Sequence, residues 1–127
     1  MKTQSLVLVP GLACDAEVWA DVCGHLPDAA APWVAEGQPQ QTIGAMAETL
    51  LRDAPATRFA LAGHSLGGRI ALEVMRRAPQ RVSHLALLDT GWLPLPADDC
   101  KLFTIDRPGG VIHSLRMLSE QWWRRTV

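Results

Sequence analysis

The chain has 127 residues, of which 48% are hydrophobic and 20% charged, the composition of an ordinary soluble globular domain, and this length limits it to one domain. Twelve basic and thirteen acidic side chains leave a formal net charge of -1, which argues against a nucleic-acid-binding or anionic-membrane surface. Three irregularly spaced cysteines do not form a disulfide framework, and no apolar stretch has the length of a secretory signal or a membrane span, so we expect a cytoplasmic protein.

The first predicted element is a strand from Leu6 to Val9. This continuous apolar run ends at Pro-Gly, as is typical of a strand buried on both faces of a parallel sheet. A helix capped by Asp15 is predicted next, because apolar residues recur there at helical spacing. They are Val18, Trp19, Val22 and Leu26. A short second strand is predicted from Ala31 to Ala35, where Pro32 restricts it to a first position or an edge.

We expect a second helix with Thr42 as its N-cap. Its apolar residues follow one helix face, at Ile43, Met46, Ala47, Leu50, Leu51 and Ala54. A buried strand from Phe59 to Ala62, a helix from Leu66 to Ala78 ended by Pro79, and a strand from Ser83 to Leu88 are predicted next. Strands that alternate with helices predict a three-layer α/β/α fold, with a mostly parallel sheet between the helices.

The regularity fades after Gly91, where proline, glycine and aspartate residues interrupt a stretch that we interpret as loop. A last helix is predicted from about Ile112 to Arg125. Because no strand is predicted after Leu88, the strand that ends there would be an open apolar edge of the sheet. A second copy of the chain or a complementing chain would then cover this edge.

The run Gly63-His64-Ser65-Leu66-Gly67-Gly68 lies between a predicted strand and a predicted helix. Its Gly-x-Ser-x-Gly pattern is typical of a nucleophile elbow, in which a strained turn presents the serine and leaves no room for side chains two residues away. The turn would place Ser65 at the carboxyl edge of the sheet and at the positive end of a helix. We therefore predict Ser65 as a nucleophile, and a glycine-rich turn without chemistry is the alternative. We expect His64 to point away and to serve in packing or support.

An acyl-transfer site also needs backbone N–H groups that stabilise the negative charge on the acyl oxygen. Leu66, directly after the serine, would supply one. Leu12 follows Pro10-Gly11 at the end of the first strand and would supply the other, if that strand lies beside the nucleophile strand. The alternative is that Pro10-Gly11 is only a turn.

Two segments, LVPGLACDAEVW from Leu8 and FALAGHSLGG from Phe59, resemble the α/β-hydrolase superfamily, and LALLDT from Leu85 does so too. The chain is most similar there to small bacterial esterase-like and lactonase-like members, from Leu6 to about Trp92. The resemblance implies an α/β-hydrolase fold that is incomplete at the carboxyl end. It implies one partial domain over residues 1–127, with residues 92–127 as the start of a lid region.

In that family the nucleophile is followed by an acid on a later strand and by a histidine near the carboxyl end. Neither later position lies within the 127 residues, so we expect the chain to be the amino-terminal part of the fold. Asp89, at the end of a strand, is the best internal candidate for the acid, and a turn-forming aspartate is the alternative. We expect His113 to be solvated, and His25 and His84 to lie at the opposite edge of the sheet.

Together these features predict a serine hydrolase that acts on carboxylic esters or lactones through an acyl-enzyme at Ser65. Its partner would be a small acyl substrate, without a metal or organic cofactor, nucleic acid or membrane. One alternative is a catalytically incomplete hydrolase, serving as a scaffold or as part of a split enzyme, because the acid and the histidine are absent. Another is a cofactor-free lyase or peroxidase, because a fold does not determine its reaction.

Overall fold

A computed structural model of the chain describes residues 4–11, 17–26, 28–35, 42–88, 90 and 101–105. The five strands are β1 (Gln4–Val9), β2 (Ala30–Val34), β3 (Phe59–His64), β4 (Val82–Leu88) and β5 (Lys101–Ile105). The helices are α1 (Glu17–His25), α2 (Ile43–Asp53) and α3 (Leu66–Arg77), and a 3₁₀ turn spans Pro79–Arg81.

The five strands form one sheet in the order β2-β1-β3-β4-β5, and every neighbouring pair is parallel. The chain steps from β1 to β2 in one direction and from β2 to β3 in the other. Right-handed crossovers in opposite directions place their helices on opposite faces of a sheet. The reversal leaves a crevice between the carboxyl ends of β1 and β3, where open α/β sheets bind ligands.

Helices on both faces of the sheet confirm the predicted three-layer α/β/α fold. Buried residues of α2 and α3 pack on one face against alternate residues of β1, β3 and β4, in a core built around Val7, Val9, Phe59, Leu61, Leu85 and Leu87. Helix α1 packs on the other face through Trp19 and Val22. The strand residues of this second core are Leu6, Leu8, Ala60, Ala62, Ala86 and Leu88. Burial of both faces explains why these strands are continuously apolar.

Strand β2 pairs only with β1 among the described strands, which confirms that the strand containing Pro32 lies at an edge. Proline is tolerated there because it has no N–H to donate to a further strand. Pro32 is exposed and lies opposite Leu6 of β1. Strand β3 extends two residues beyond its predicted end, because Gly63 and His64 continue the pairing with β4.

The prediction that the stretch after Gly91 is entirely loop is wrong. Residues Lys101–Ile105 form β5, which pairs with β4 from His84 to Leu88. The predicted open edge at β4 is therefore wrong too, because β5 lies beside it. The short run from Leu102 to Ile105 contains apolar and β-branched residues, which favour a strand, but the prolines and glycines around it hide this signal. The helix predicted from about Ile112 lies outside the described residues.

The N-cap of α2 gives a testable prediction. Thr42 has extended backbone, and its Oγ1 accepts a hydrogen bond of 3.1 Å from the Ala45 N–H. This bond satisfies one of the N–H groups that have no partner within a helix. We expect Thr42→Ala to lower the free energy of unfolding by about 1 kcal/mol. Thr42→Ser keeps the acceptor and should stay near the wild-type value in urea denaturation, and equal losses in both variants would contradict a role for the cap.

Candidate active site

The candidate site lies at the carboxyl ends of β1 and β3, on either side of the crevice where the strand order reverses. Val9 and Gly63 are register partners at these ends. The chain continues from β1 into buried Pro10 and Gly11, and from β3 into Ser65. The structure therefore brings together two segments, Pro10-Gly11 and the Ser65 turn, that are more than fifty positions apart in the sequence.

Ser65 is the sharp turn between β3 and α3. Its backbone has φ 55 and ψ −116, and it is the only non-glycine residue with a positive φ in the described part of the chain. Its N–H donates a 3.0 Å hydrogen bond to the carbonyl oxygen of Leu88, and its own carbonyl oxygen accepts one from Gly68. The side chain makes no capping bond to α3, and the residue is exposed. Backbone hydrogen bonds thus hold a strained serine that faces outward at the positive end of a helix.

Two glycines make this turn sterically possible. A Cβ at Gly63 would lie 2.6 Å from the carbonyl carbon of Gly67 and 2.7 Å from Cα of Gly68. A Cβ at Gly67 would overlap the carbonyl oxygen of Val9 and would lie 2.7 Å from that of Pro10. The predicted collision with the turn is therefore confirmed for Gly63. At Gly67 the backbone at the end of β1 leaves no room for a side chain, which the local pattern did not indicate.

A contact between Gly68 and Thr90 was not predicted. A Cβ at Gly68 would lie 2.7 Å from Cβ of Thr90 and 2.8 Å from its Oγ1. Thr90 follows β4, so the end of β4 packs directly on the first turn of α3. The only signal in the sequence is the second glycine after the serine, and it does not identify the partner.

The Pro10-Gly11 segment packs against the serine turn. A Cβ at Gly11 would lie 3.3 Å from each of three atoms, namely Nδ1 and the carbonyl oxygen of His64 and Cβ of Ser65. His64 is itself buried, with 7% of its surface exposed. This burial confirms the expectation that the His64 side chain packs within the fold. The condition set for Leu12, that its strand lies beside the nucleophile strand, is met by the pairing of β1 with β3.

The remaining predicted site residues fall into three groups. Leu66 is the first residue of α3, directly beside Ser65, whereas Leu12, Asp89 and His113 lie outside the described residues. His84 pairs with Ala60 in the first half of β3, and exposed His25 ends α1 before the start of β2. Both histidines therefore lie toward the amino edge of the sheet, as expected.

Across the described ranges, no group of histidine, cysteine, aspartate or glutamate side chains has the arrangement of a metal site. Within those same ranges, no helix is both long enough and apolar enough to cross a membrane.

The backbone strain at Ser65 gives a second prediction. A residue held in such a sparsely populated conformation costs about 1–3 kcal/mol, and glycine adopts it more readily. We expect Ser65→Gly to be more stable than Ser65→Ala by about 1 kcal/mol, because both variants lose the hydroxyl and only the glycine relieves the strain. Thermal and urea denaturation of the two variants would measure the difference. Equal stability, or a more stable alanine variant, would contradict a strained turn.

A parallel sheet between two helical layers, with a strained serine turn at the point where the strand order reverses, defines an α/β-hydrolase architecture. A family model described as alpha/beta hydrolase fold matches residues 30–111. Because the match covers more than half of the 127 residues, the chain belongs to the α/β-hydrolase fold family. Comparison with curated proteins finds no match.

Three solved structures illustrate the likeness. The N-formylmaleamic acid deformylase of Pseudomonas putida is 27% identical over 76% of this chain and 44% of its own length, with a TM-score of 0.60. A thermophilic esterase from Thermogutta terrifontis is 25% identical over 73% of this chain and 39% of its own length, with a TM-score of 0.62. A putative lipase from Acinetobacter baumannii AYE is 28% identical over 76% of this chain and 37% of its own length, with a TM-score of 0.62. The chain thus spans less than half the length of these structures.

Proposed function

We propose that this chain provides the nucleophile and the oxyanion-binding part of a serine hydrolase that acts on carboxylic esters or lactones. The observation that carries the proposal is the backbone of Ser65, an exposed serine held at positive φ between a buried strand and the start of a helix. A strained turn is retained where the surrounding structure enforces it, and such turns cluster at active sites. Membership of a hydrolase-fold family and the likeness to an esterase and a putative lipase support the proposal.

The proposed reaction begins when Ser65 Oγ attacks the acyl carbon of the substrate. The bond from Oγ to carbon forms, the hydroxyl proton passes to a general base, and the carbonyl electron pair moves onto the acyl oxygen. The N–H groups of Leu66 and Leu12 stabilise that oxyanion. Collapse of the intermediate expels the alcohol, which takes a proton, and leaves an acyl-enzyme. Water then gives a proton to the base and attacks the acyl carbon, the bond from that carbon to Oγ breaks, the carboxylic acid leaves, and Oγ takes the proton back from the base.

Two features of the described site suit these roles. Leu66 begins α3, so its N–H points out of the positive end of the helix, toward the place where the negative charge develops. A Cβ at Gly11 would lie 3.3 Å from Cβ of Ser65, and Leu12, the next residue in the chain, is our candidate for the second donor. Asp89 follows β4, whose last residue Leu88 accepts the Ser65 N–H, and it is our candidate for the acid that orients the base.

A fluorophosphonate probe tests the nucleophile, because it forms a covalent bond with an activated serine. We expect stoichiometric labelling of the folded chain at Ser65, found by peptide mass spectrometry, and complete loss of labelling in Ser65→Ala. Ser83→Ala is the matched control, since Ser83 is half-buried near the amino end of β4 and should not affect labelling. A folded wild-type chain that does not label, or a Ser65→Ala chain that still does, would overturn the proposal.

A second candidate is an α/β-hydrolase chain that binds without turnover, as a scaffold or as one part of a split enzyme. The chain spans less than half the length of the compared structures, so turnover has to be measured on this chain itself. Steady-state hydrolysis of simple esters separates the two candidates. A turnover number near 1 per second or above, in the usual range of enzymes at about 1–1000 per second, would indicate a complete hydrolase. Labelling at Ser65 without turnover would indicate the second candidate.

A further inference from the structure

We propose that His64 is a positioning residue whose buried imidazole holds the Pro10-Gly11 segment against Ser65. The inference rests on the proposed function, because the segment so held precedes the proposed oxyanion donor Leu12. It assigns a role to a buried titratable side chain that the proposed reaction does not use.

The contact between His64 and Gly11 is the first observation. A Cβ at Gly11 would lie 3.3 Å from Nδ1 of His64, from the His64 carbonyl oxygen and from Cβ of Ser65. Separations of this size are tighter than ordinary van der Waals contact, so the imidazole and the serine turn leave too little room for a side chain at residue 11 unless one of them shifts by a few tenths of an ångström. Pro10 and Gly11 are both buried, as is His64. The imidazole therefore forms part of the surface that fixes the distance between the Pro10-Gly11 segment and the Ser65 turn.

The strand geometry explains why the side chain of residue 64 reaches this segment. Successive side chains of a strand alternate between faces, so His64 shares the face of Ala60 and Ala62, which is the face covered by α1. His64 lies at the end of β3, one residue beyond the register pair Gly63 and Val9, where β1 has already given way to Pro10-Gly11. A larger side chain at this position fills the space beneath the loop.

This placement argues against His64 as the general base. Its ring packs on the interior side of the turn against Gly11, whereas Ser65 is exposed on the outside of the turn. A base must lie within hydrogen-bond reach of the proton that it accepts. Nδ1 of His64 lies on the side of Gly11, so we assign His64 a role through the position of the Pro10-Gly11 segment.

Replacement of His64 by alanine should let the Pro10-Gly11 segment shift into the vacated space. A displacement of about 1 Å at a reacting centre can reduce a rate about 100-fold. We expect His64→Ala to lower the rate constant of fluorophosphonate labelling at Ser65 by about 10-fold to 100-fold, within that limit. His64→Asn places an amide atom close to the position of Nδ1, so it should recover most of the rate. His84→Ala is the matched control, since His84 is a half-buried histidine of β4 far from the carboxyl edge, and it should label at the wild-type rate.

A double-mutant cycle tests the contact itself. Gly11→Ala adds a methyl group against three atoms, one of which is Nδ1 of His64. We expect Gly11→Ala to slow labelling less in the His64→Ala background than in the wild type, because residues in contact are not additive whereas distant ones are. Additive effects would overturn the proposed contact.

Amide hydrogen exchange at Gly11 decides the inference independently of activity. We expect this amide to exchange at least about 10-fold faster in His64→Ala, since local opening increases exchange, and to be unchanged in His84→Ala. If the folded wild-type chain does not label, the proposed function is overturned. Amide exchange at Gly11 still tests the role of His64 in that case. If the wild type labels and His64→Ala changes neither the labelling nor the exchange, only the positioning role is overturned.

Discussion

Gly67→Ala is expected to destabilise the chain by about 3 kcal/mol or more, in the upper range for forced overpacking. The added Cβ would overlap the carbonyl oxygen of Val9 and approach that of Pro10 at 2.7 Å. Both atoms belong to backbone at the end of a buried central strand, so neither can rotate away as a side chain would. Relief requires α3 to move away from β1, which would open the core around Ile70 and Ala71.

Gly24→Ala is the matched control for this variant. Gly24 is an exposed residue of α1, and a Cβ there would meet nothing within 4 Å. Because alanine favours the helical backbone, we expect this change to be neutral or to stabilise the chain by up to about 1 kcal/mol. Urea denaturation followed by circular dichroism compares the two variants. A Gly67→Ala chain as stable as Gly24→Ala would contradict the close approach of α3 to β1.

Arg81→Ala is expected to cost about 3 kcal/mol, because a single guanidinium makes several hydrogen bonds to backbone carbonyls. Its Nε donates to Thr57 at 2.8 Å, its Nη2 to Ala56 at 2.9 Å, and its Nη1 to Leu51. These carbonyls lie 24 to 30 residues earlier in the chain, in the last turn of α2 and in the segment that leads to β3. The guanidinium also lies 5.3 Å from the centre of the Phe59 ring, which adds a cation–π attraction.

Two further variants separate the geometry of Arg81 from its charge. Arg81→Lys keeps the charge and loses the planar fork, so we expect it to recover at most about half of the lost stability. Arg58→Ala removes the same charge from an exposed position beside Thr57, and we expect a change of less than about 0.5 kcal/mol. If Arg58→Ala cost as much as Arg81→Ala in urea denaturation, general electrostatics would explain the loss and the backbone hydrogen bonds would not.

The elements that local sequence predicts well are those with a local physical cause. The α2 helix was predicted from its apolar stripe and from Thr42, and the structure shows that stripe against the core and the Thr42 cap. The glycine at residue 63 of the Ser65 turn also has a local cause, because a Cβ there would strike the backbone of Gly67 and Gly68. In such cases the residues that cause a feature are neighbours in the chain, so a single segment contains the whole signal.

Features that depend on distant partners were missed or predicted only in part. Strand β5 forms because β4 offers a parallel edge to Lys101–Ile105, and no periodicity within that short segment indicates the pairing. The contact of Thr90 with Gly68 joins the end of β4 to α3. The role of Arg81 was not predicted either, since an arginine after a helix is usually a solvated residue and its three acceptors lie far back in the sequence.

The alternation of strands and helices, the strained turn at Ser65 and the family of the chain could all be predicted from the amino-acid sequence. These follow from residue spacing and from glycine at positions where a Cβ would strike nearby backbone. The proximity of Pro10-Gly11 to His64 at that turn, and the addition of β5 beside β4, became apparent only from the pairing of the strands. Parallel pairing joins segments across long crossovers, so the neighbours of the nucleophile depend on the order of the strands in the sheet.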